Sequence, residues 1–490
     1  SNVGISVTTG VNNTLIGALA GDALTDADFN VALGVSALTT DTLGSRSTAI
    51  GTNALFSQNF TTATNTYNTA VGFETGAAVT TGVQNTLIGG QVGDALTDAD
   101  YNVAMGYAAL STDTLGSKST ALGFAALETQ NFTTATDSHN TAVGFAAGLS
   151  VTTGLYNTLI GSLAGDALTN ADFNVAVGQN ALTVDTLGSK STAIGAAALN
   201  VQNFTTATDT HNTAVGYSAG SAVTTGRNNT LVGSRSGDAI TTANSNTAVG
   251  LSALSTDTKG DNAVAIGENA LLTQNFTTST DSHNTAVGSN AGRAVTTGVE
   301  NTLIGALAGD ALTDADFNTV VGFSALTADT LGSRSVAVGT SALQAQNFTT
   351  ATDALNTAVG FSAGKAVTTG IVNTFIGGLA GDAITTANSN VAVGYSALTT
   401  ETSGANCTAI GSNTLAAQNV AGGTNVGNTA VGYDAGTAVT SGVQNVFVGA
   451  YAGDGTQTGT QNVAVGQEAL SAVAGNTNTA VGTFSLNVCT

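Results

Sequence analysis

Proline and tryptophan are absent from this chain, and only 8% of its 490 residues are charged. Lys and Arg together number nine against 31 Asp and Glu, a formal net charge of −22. So acidic a surface repels phosphate, which argues against nucleic acid as a partner and disfavours anionic membranes for the same reason. Low charge with abundant Thr, Val and Ala is the reverse of a disordered composition. No apolar run reaches the roughly 18 residues that a transmembrane helix requires. The two cysteines, Cys407 and Cys489, are too few for a disulfide framework. Neither an initiator Met nor a basic-then-apolar signal segment opens the text, so no address is read from it.

What is present is repetition. The motif Asn-x-apolar-apolar-Gly recurs in 27 copies, six of them with another residue in place of Asn, with its Gly at 17, 34, 51, 72, 89, 106, 123, 144 and onward to 482. The steps are 17, 17, 21 and 17 residues, a block of 72, and the final step is 16. Four coil types fill each block: "NTLIGALAGDALTDADF" from 13, "NVALGVSALTTDTLGSR" from 30, "STAIGTNALFSQNFTTATNTY" from 47 and "NTAVGFETGAAVTTGVQ" from 68. The superperiod suggests repeated duplication of a four-coil block. No linker interrupts residues 1–490, so one continuous repeat domain is expected, starting and stopping within coils and uncapped at both ends.

Glycine at fixed intervals and β-branched runs of four or five residues fit short strands and tight turns. A helix would have to run across those glycines, at about 1 kcal/mol each. A 17-residue unit cannot enclose a core by itself, so neighbours must stack on it. The predicted fold is all-β: a parallel β-solenoid of about 27 coils with two short strands per coil. With coils spaced like adjacent strands, about 4.8 Å apart, the rod would be on the order of 125 Å long.

The first motif position is Asn in 21 of 27 copies, and the exceptions (Ser47, Ser119, Ser191, Ala263, Ser335, Cys407) all fall in the long third coil. Aligned Asn amides are able to bond along the rod as a ladder; an Asn merely starting each turn is the alternative. Positions three and four are apolar in every copy, so both faces of the strand want burial. One face fills the roll. The other is assigned to a sister molecule, on a row holding Leu15, Leu87, Leu159, Leu231, Leu303, Phe375 and Phe447. A thin roll buries little per ordered residue, which makes a homo-oligomer packed along its length the expected state.

The clearest motif copy is "NAVAIG", Asn262 to Gly267, with "STAIG" (47–51) and "NVAVG" (174–178) as variants. It resembles the head repeat of the trimeric autotransporter adhesins, the YadA-like group, whose motif is Asn-x-Val-Ala-Ile-Gly; similar strings occur in tail fibres of phages and large viruses. The resemblance covers essentially the whole chain. It implies a left-handed β-roll, three rolls around one axis, and small motif residues such as Ala265 facing the partners.

Several strings invite a chemical reading. Asp137-Ser138-His139 holds the ingredients of a hydrolase triad, but neighbours in an extended segment point apart. At the equivalent offset stand Asp209-Thr210-His211, Asp281-Ser282-His283, Asn65-Thr66-Tyr67 and Asp353-Ala354-Leu355, so no catalytic residue is assigned. The acidic corner "GDALTDADF" is the better candidate: Asp22, Asp26 and Asp28, then Asp94, Asp98 and Asp100, then Asp310, Asp314 and Asp316 are Ca²⁺ candidates, and no other cofactor is expected. The copies at 238 and 382 keep only the first Asp, which favours turn capping instead. "QNFTTAT" places glycosylation sequons at Asn59, Asn131, Asn203, Asn275 and Asn347 in the long coil. Cys407 and Cys489 lie too far apart along a stack for a bridge within one chain; bonds between symmetry mates stay open, and the first motif position of its coil suits Cys407 as a small packed residue. Arg46, Lys118, Lys190 and Arg334 form a row that relieves acidic self-repulsion.

These features predict a non-enzymatic extracellular fibre or adhesin shaft at a cell or virion surface, partnered with itself as a homotrimer and, through repeated weak sites, with an unidentified surface or glycan receptor. End-to-end stacking into a filament is a corollary of open strand edges. The alternatives are a viral tail-fibre shaft, an ice- or crystal-binding solenoid presenting Thr rows ("VTTG" at 79, 151, 223, 295 and 367), and a tailspike-like glycan hydrolase.

Overall fold

The computed structural model describes residues 2–422, 425–455, 457–472 and 475–487. Among the described residues there are short strands, bends and turns, and no helix. The chain is an all-β parallel β-solenoid whose motif strands, each three residues long, number 27. Two compact units are distinguished, Ser1–Asn244 and Ser245–Thr490.

In the first unit the motif strands run from Thr14–Ile16 to Thr230–Val232. Each is parallel to the next and in register on the motif: Leu15 lies opposite Ala32, Ala32 opposite Ala49, Ala49 opposite Ala70, and Ala70 opposite Leu87. The second unit repeats this from Thr247–Val249 to Thr479–Val481, with Ala248 opposite Ala265, Ala265 opposite Ala286, and Ala286 opposite Leu303. Among the described residues, the second strand expected in every coil is found only in some. Two-residue strands pair, among the described residues, only between the second and third coil types, as Gly116–Ser117 with Thr136–Asp137 and Gly260–Asp261 with Thr280–Asp281.

Backbone geometry explains the difference. Coils this short must turn sharply, and they do so on residues with positive φ that are mostly not glycine. Phe29 (φ 59°) and Arg46 (φ 68°) precede the motif, and Ser36 (φ 57°) and Leu38 (φ 53°) follow it. A left-handed conformation costs an L-residue roughly 1–2 kcal/mol. Coil-to-coil hydrogen bonds hold each of these corners, as from Ser36 N to Ala18 O (2.9 Å), Leu38 N to Ala54 O (3.0 Å) and Arg46 N to Asp28 O (3.0 Å).

In the first three coil types, Val320 with Leu326 excepted, volume is conserved by a swap between the strand and the corner that follows it. Where the third motif position is Leu15, the residue six further on is Gly21; where it is Ala32, that residue is Leu38. A Cβ on Gly21 would fall 2.7 Å from Leu15 Cδ2 and 2.8 Å from Leu24 Cδ1, so the leucine of the strand occupies the space that Leu38 fills from the opposite corner one coil later. Leu24, Leu38, Leu55 and Leu87 are all fully buried. In the fourth coil type both positions are small, Ala70 and Gly76, and the adjacent coils fill the space: a Cβ on Gly76 would fall 2.9 Å from Leu87 Cδ1 and 3.1 Å from Leu55 Cδ2, so large and small side chains alternate along the core.

Candidate interaction surfaces

The strand faces opposite ways at alternate positions, and the structure reverses one assignment. Leu87, Leu159, Leu231, Ala265, Leu303, Phe375 and Phe447 are 0% exposed within the single chain, and Leu15 is half-buried. They fill their own coils, against the glycines described above, so they are not a trimer interface. The outward row is the fourth motif position, where Ile160, Ile266 and Ile376 are 38%, 38% and 41% exposed. Aromatics extend this face beyond the motif Gly: Tyr107 stacks on Phe124 with centroids 5.7 Å apart, and Phe124 on Phe145 at 5.3 Å. Coil spacing brings neighbouring rings into offset stacking range.

The first motif position is a polar seam within the core. Asn102 accepts at Oδ1 from Ser119 N (2.8 Å), and its Nδ2 donates across its own coil to Gly116 O (2.9 Å). Its N donates to Asn85 Oδ1 of the coil before (3.0 Å). The predicted ladder exists, but it runs mainly from side chain to backbone. In the long coil the seam widens into a network that the motif did not disclose. Asp113, 0% exposed, accepts at Oδ1 from Gly116 N (3.0 Å) and Phe132 N (3.1 Å), and at Oδ2 from Gln130 Nε2 (2.6 Å). Gln130 also donates to Ser119 Oγ (2.8 Å) and accepts from Asn140 Nδ2 (2.9 Å). Asp41, Asp185, Asp257 and Asp329 repeat the pattern. The readable signal was an Asp 17 residues before a Gln in each of the first five blocks. In the sixth block Glu401 and Cys407 take these places, and Gln418 Nε2 donates to both (3.0 and 3.1 Å). Burial pushes the Cys407 thiol up to about 11. That suits a packed residue rather than a reactive thiolate. Cys489 lies outside the described residues.

The Ca²⁺ candidates do not converge. Asp26 and Asp28 accept from the coil before, from Thr9 Oγ1 and Val11 N. Asp98 and Asp100 do the same with Thr81 Oγ1 (2.6 Å) and Val83 N (2.7 Å), and Asp314 and Asp316 with Thr297 Oγ1 (2.6 Å) and Val299 N (2.8 Å). Asp310 accepts from Thr327 Oγ1. Among the described residues no group of three or more His, Cys, Asp or Glu side chains is placed to hold a metal ion. These acids are coil-to-coil capping groups.

The first Asp of the corner carries a charge effect instead. Asp22, Asp94, Asp238 and Asp454 each bury an Oδ1 without a hydrogen-bond partner, whereas Asp166 and Asp382 receive Thr183 and Thr399 there. Burial raises the pKa of Asp94, Asp238 and Asp454 above the ordinary carboxylate value of 3.8. A carboxyl with a raised folded-state pKa binds protons more readily folded than unfolded, so stability falls as pH rises through that pKa. The thermal midpoint should therefore rise as pH is lowered through the raised pKa values of these carboxyls toward the ordinary carboxylate value of 3.8, and Asp94→Asn should flatten that slope. A midpoint that falls over this window contradicts the assignment.

Asp137, Ser138 and His139 diverge. Asp137 pairs with Lys118 (2.6 Å), Ser138 is buried against Ser119 Oγ (2.5 Å), and the His139 ring stacks on Tyr156 at 5.1 Å. Lys190–Asp209 (2.5 Å) and Arg334–Asp353 (2.9 Å) are exposed ion pairs between coils, so the basic row does neutralise acids. Asn59, Asn131, Asn275 and Asn347 are exposed and Asn203 half-exposed, all at the surface of the long coil. The first Thr of each "VTTG" spends its hydroxyl on a carbonyl of the next coil, as Thr80 on Thr97 O (3.2 Å) and Thr296 on Thr313 O (3.1 Å). That occupies the first hydroxyl of each of these Thr pairs.

Among the described residues, no helix is long and apolar enough to cross a membrane. Comparison of the chain with models of protein families and with curated proteins found no match.

Proposed function

We propose that this chain is the shaft of a non-enzymatic extracellular fibre or adhesin, wound as a left-handed roll in coils of 17 or 21 residues and associated as a homotrimer. One observation carries the reading: the half-exposed aliphatic row at the fourth motif position, continued by stacked aromatics. Monomeric proteins rarely leave apolar patches beyond about 300–600 Å² uncovered. Covering the remaining half of an Ile or Val contributes about 1 kcal/mol per coil. Summed over the dozen or so coils of either unit, that is comparable with the association cost of about 4–15 kcal/mol. Sister rolls docked along this face would leave the polar long coils outward, as many equivalent weak attachment points.

Sedimentation of the intact protein tests this. A mass three times 47.7 kDa is expected, and Ile160→Asp with Ile194→Asp and Ile266→Asp should shift it toward monomer while the strand circular dichroism persists. A stable, dispersed monomer at micromolar concentration would end the proposal.

A further inference from the structure

One departure from the repeat lies in a surface cleft of about 650 Å³ in the first unit, lined by Asn170, Asp172, Ser189, Thr208, Asp209 and Arg227. Pockets of about 300–1,000 Å³ suit small ligands. Internal repeats supply the comparison. Arg227 stands where the other blocks carry Val11, Val83, Leu155, Val299, Ile371 and Val443. Asn170 stands where they carry Asp26, Asp98 and Asp314, or Thr242 and Thr386 in blocks without the acidic corner. Two substitutions far apart in sequence thus meet at one cleft, and relative to the acidic-corner blocks both remove negative or add positive charge. The matching corner of the previous block sets Asp98, Asp100 and Asp137 against Lys118 alone, whereas here Asp172 and Asp209 are balanced by Lys190 and Arg227.

The hydrogen bonds divide the groups by role. Asn170 accepts at Oδ1 from Thr153 Oγ1 (2.8 Å), which presents its Nδ2 as a donor where an Asp has none. Arg227 is anchored through its backbone N on Asn244 Oδ1 (3.0 Å), and its guanidinium takes part in no ion pair among the described residues. Asp172 spends Oδ1 on Leu155 N (2.8 Å), and Asp209 spends Oδ2 on Lys190 Nζ (2.5 Å). Each keeps a second oxygen as an acceptor. Two donors for an anion therefore sit beside two acceptors for hydroxyls.

We infer that this cleft binds a carboxylated sugar, a uronic or sialic acid unit of a glycan, with its carboxylate on Arg227 and Asn170 and its hydroxyls on Asp172 and Asp209. A planar guanidinium matches a carboxylate in two parallel hydrogen bonds. A bare anion would meet the two aspartates with nothing to offer them. The inference deepens the attachment role proposed above and rests on it for its purpose; sedimentation decides the trimer, and sugar binding decides the cleft.

The test is titration calorimetry with saturation-transfer NMR on the full chain, using methyl α-N-acetylneuraminide and methyl β-glucuronide, with methyl β-glucoside and inorganic phosphate as controls. At least one acidic sugar should saturate one site per chain, and the controls should bind at least about tenfold more weakly. Arg227→Val, the residue that folds at 83 and 299, should weaken the acidic sugar by at least about tenfold. Leu155→Arg with Asp98→Asn should install a second site and double the stoichiometry. No saturable binding, phosphate bound as well as the sugars, or affinity untouched by Arg227→Val would each overturn the inference.

Discussion

Gly377→Ala is expected to destabilise the second unit by about 3 kcal/mol or more, while Gly378→Ala, one residue on, is expected to be neutral within about 0.5 kcal/mol. The two positions look alike in sequence and differ in what surrounds them. Gly377 has φ +133°, and a Cβ there would meet the carbonyl oxygen and carbon of Gly394 in the next coil at 2.5 and 2.7 Å. Those are backbone atoms held by the stack, so nothing flexible yields. A Cβ on Gly378 meets only the Tyr395 ring at 3.6 Å, which is ordinary contact, and Ala18, Ala196 and Ala306 already occupy that position in other coils. Denaturant unfolding of both variants checks the pair. In a solenoid the loss is transmitted through nearest neighbours, so hydrogen exchange should localise it to the coils flanking Gly377. Equal effects of the two substitutions would mean that close approach of the coils is not what demands glycine.

Asp185→Ala should cost about 3–5 kcal/mol, because it leaves several buried donors without an acceptor. Asp185 is 0% exposed and accepts from Gly188 N (3.0 Å), Phe204 N (3.1 Å) and Gln202 Nε2 (2.6 Å). Gln202 in turn holds Ser191 Oγ (2.8 Å) and Asn212 Nδ2 (2.8 Å), and Asn212 closes its own coil on Gly226 O (2.7 Å). Removing the carboxylate therefore loosens the four-residue extension of the long coil from beneath. Lys190→Ala, which breaks an exposed ion pair beside it, should cost no more than about 1 kcal/mol. Hydrogen exchange at the Gly188 and Phe204 amides reads the first effect directly. If both stay as protected as in the parent chain, the buried carboxylate is not what holds the loop.

The stacked-coil architecture was legible because a motif repeated at constant spacing must make the same contact each time. Gly394 follows Gly377 by the same step that separates Asn102 from Asn85, so glycine packs on glycine and amide bonds to amide. Parallel pairing, the absence of helix among the described residues and the count of coils followed from that regularity. The failure of Asp137, Ser138 and His139 to converge followed from strand alternation.

Sidedness was decided only by the tertiary structure. The third motif position faces in and the fourth out because the corners turn on left-handed residues, and Leu38, Ser36, Arg46 and Phe29 carry no signature of that conformation. Leu159 and Ile160 are equally apolar as letters; one is fully buried and the other 38% exposed. The buried carboxylates were hidden for a related reason. Asp113 and Gln130 belong to different coils, and an acid in a Thr-rich turn reads as a solvated cap until the long coil folds Phe132 and Gln130 over it. Repetition in one dimension specifies which residues stack along the axis. The cross-section, and therefore which face is left for a partner, depends on backbone torsions that the residue types do not dictate.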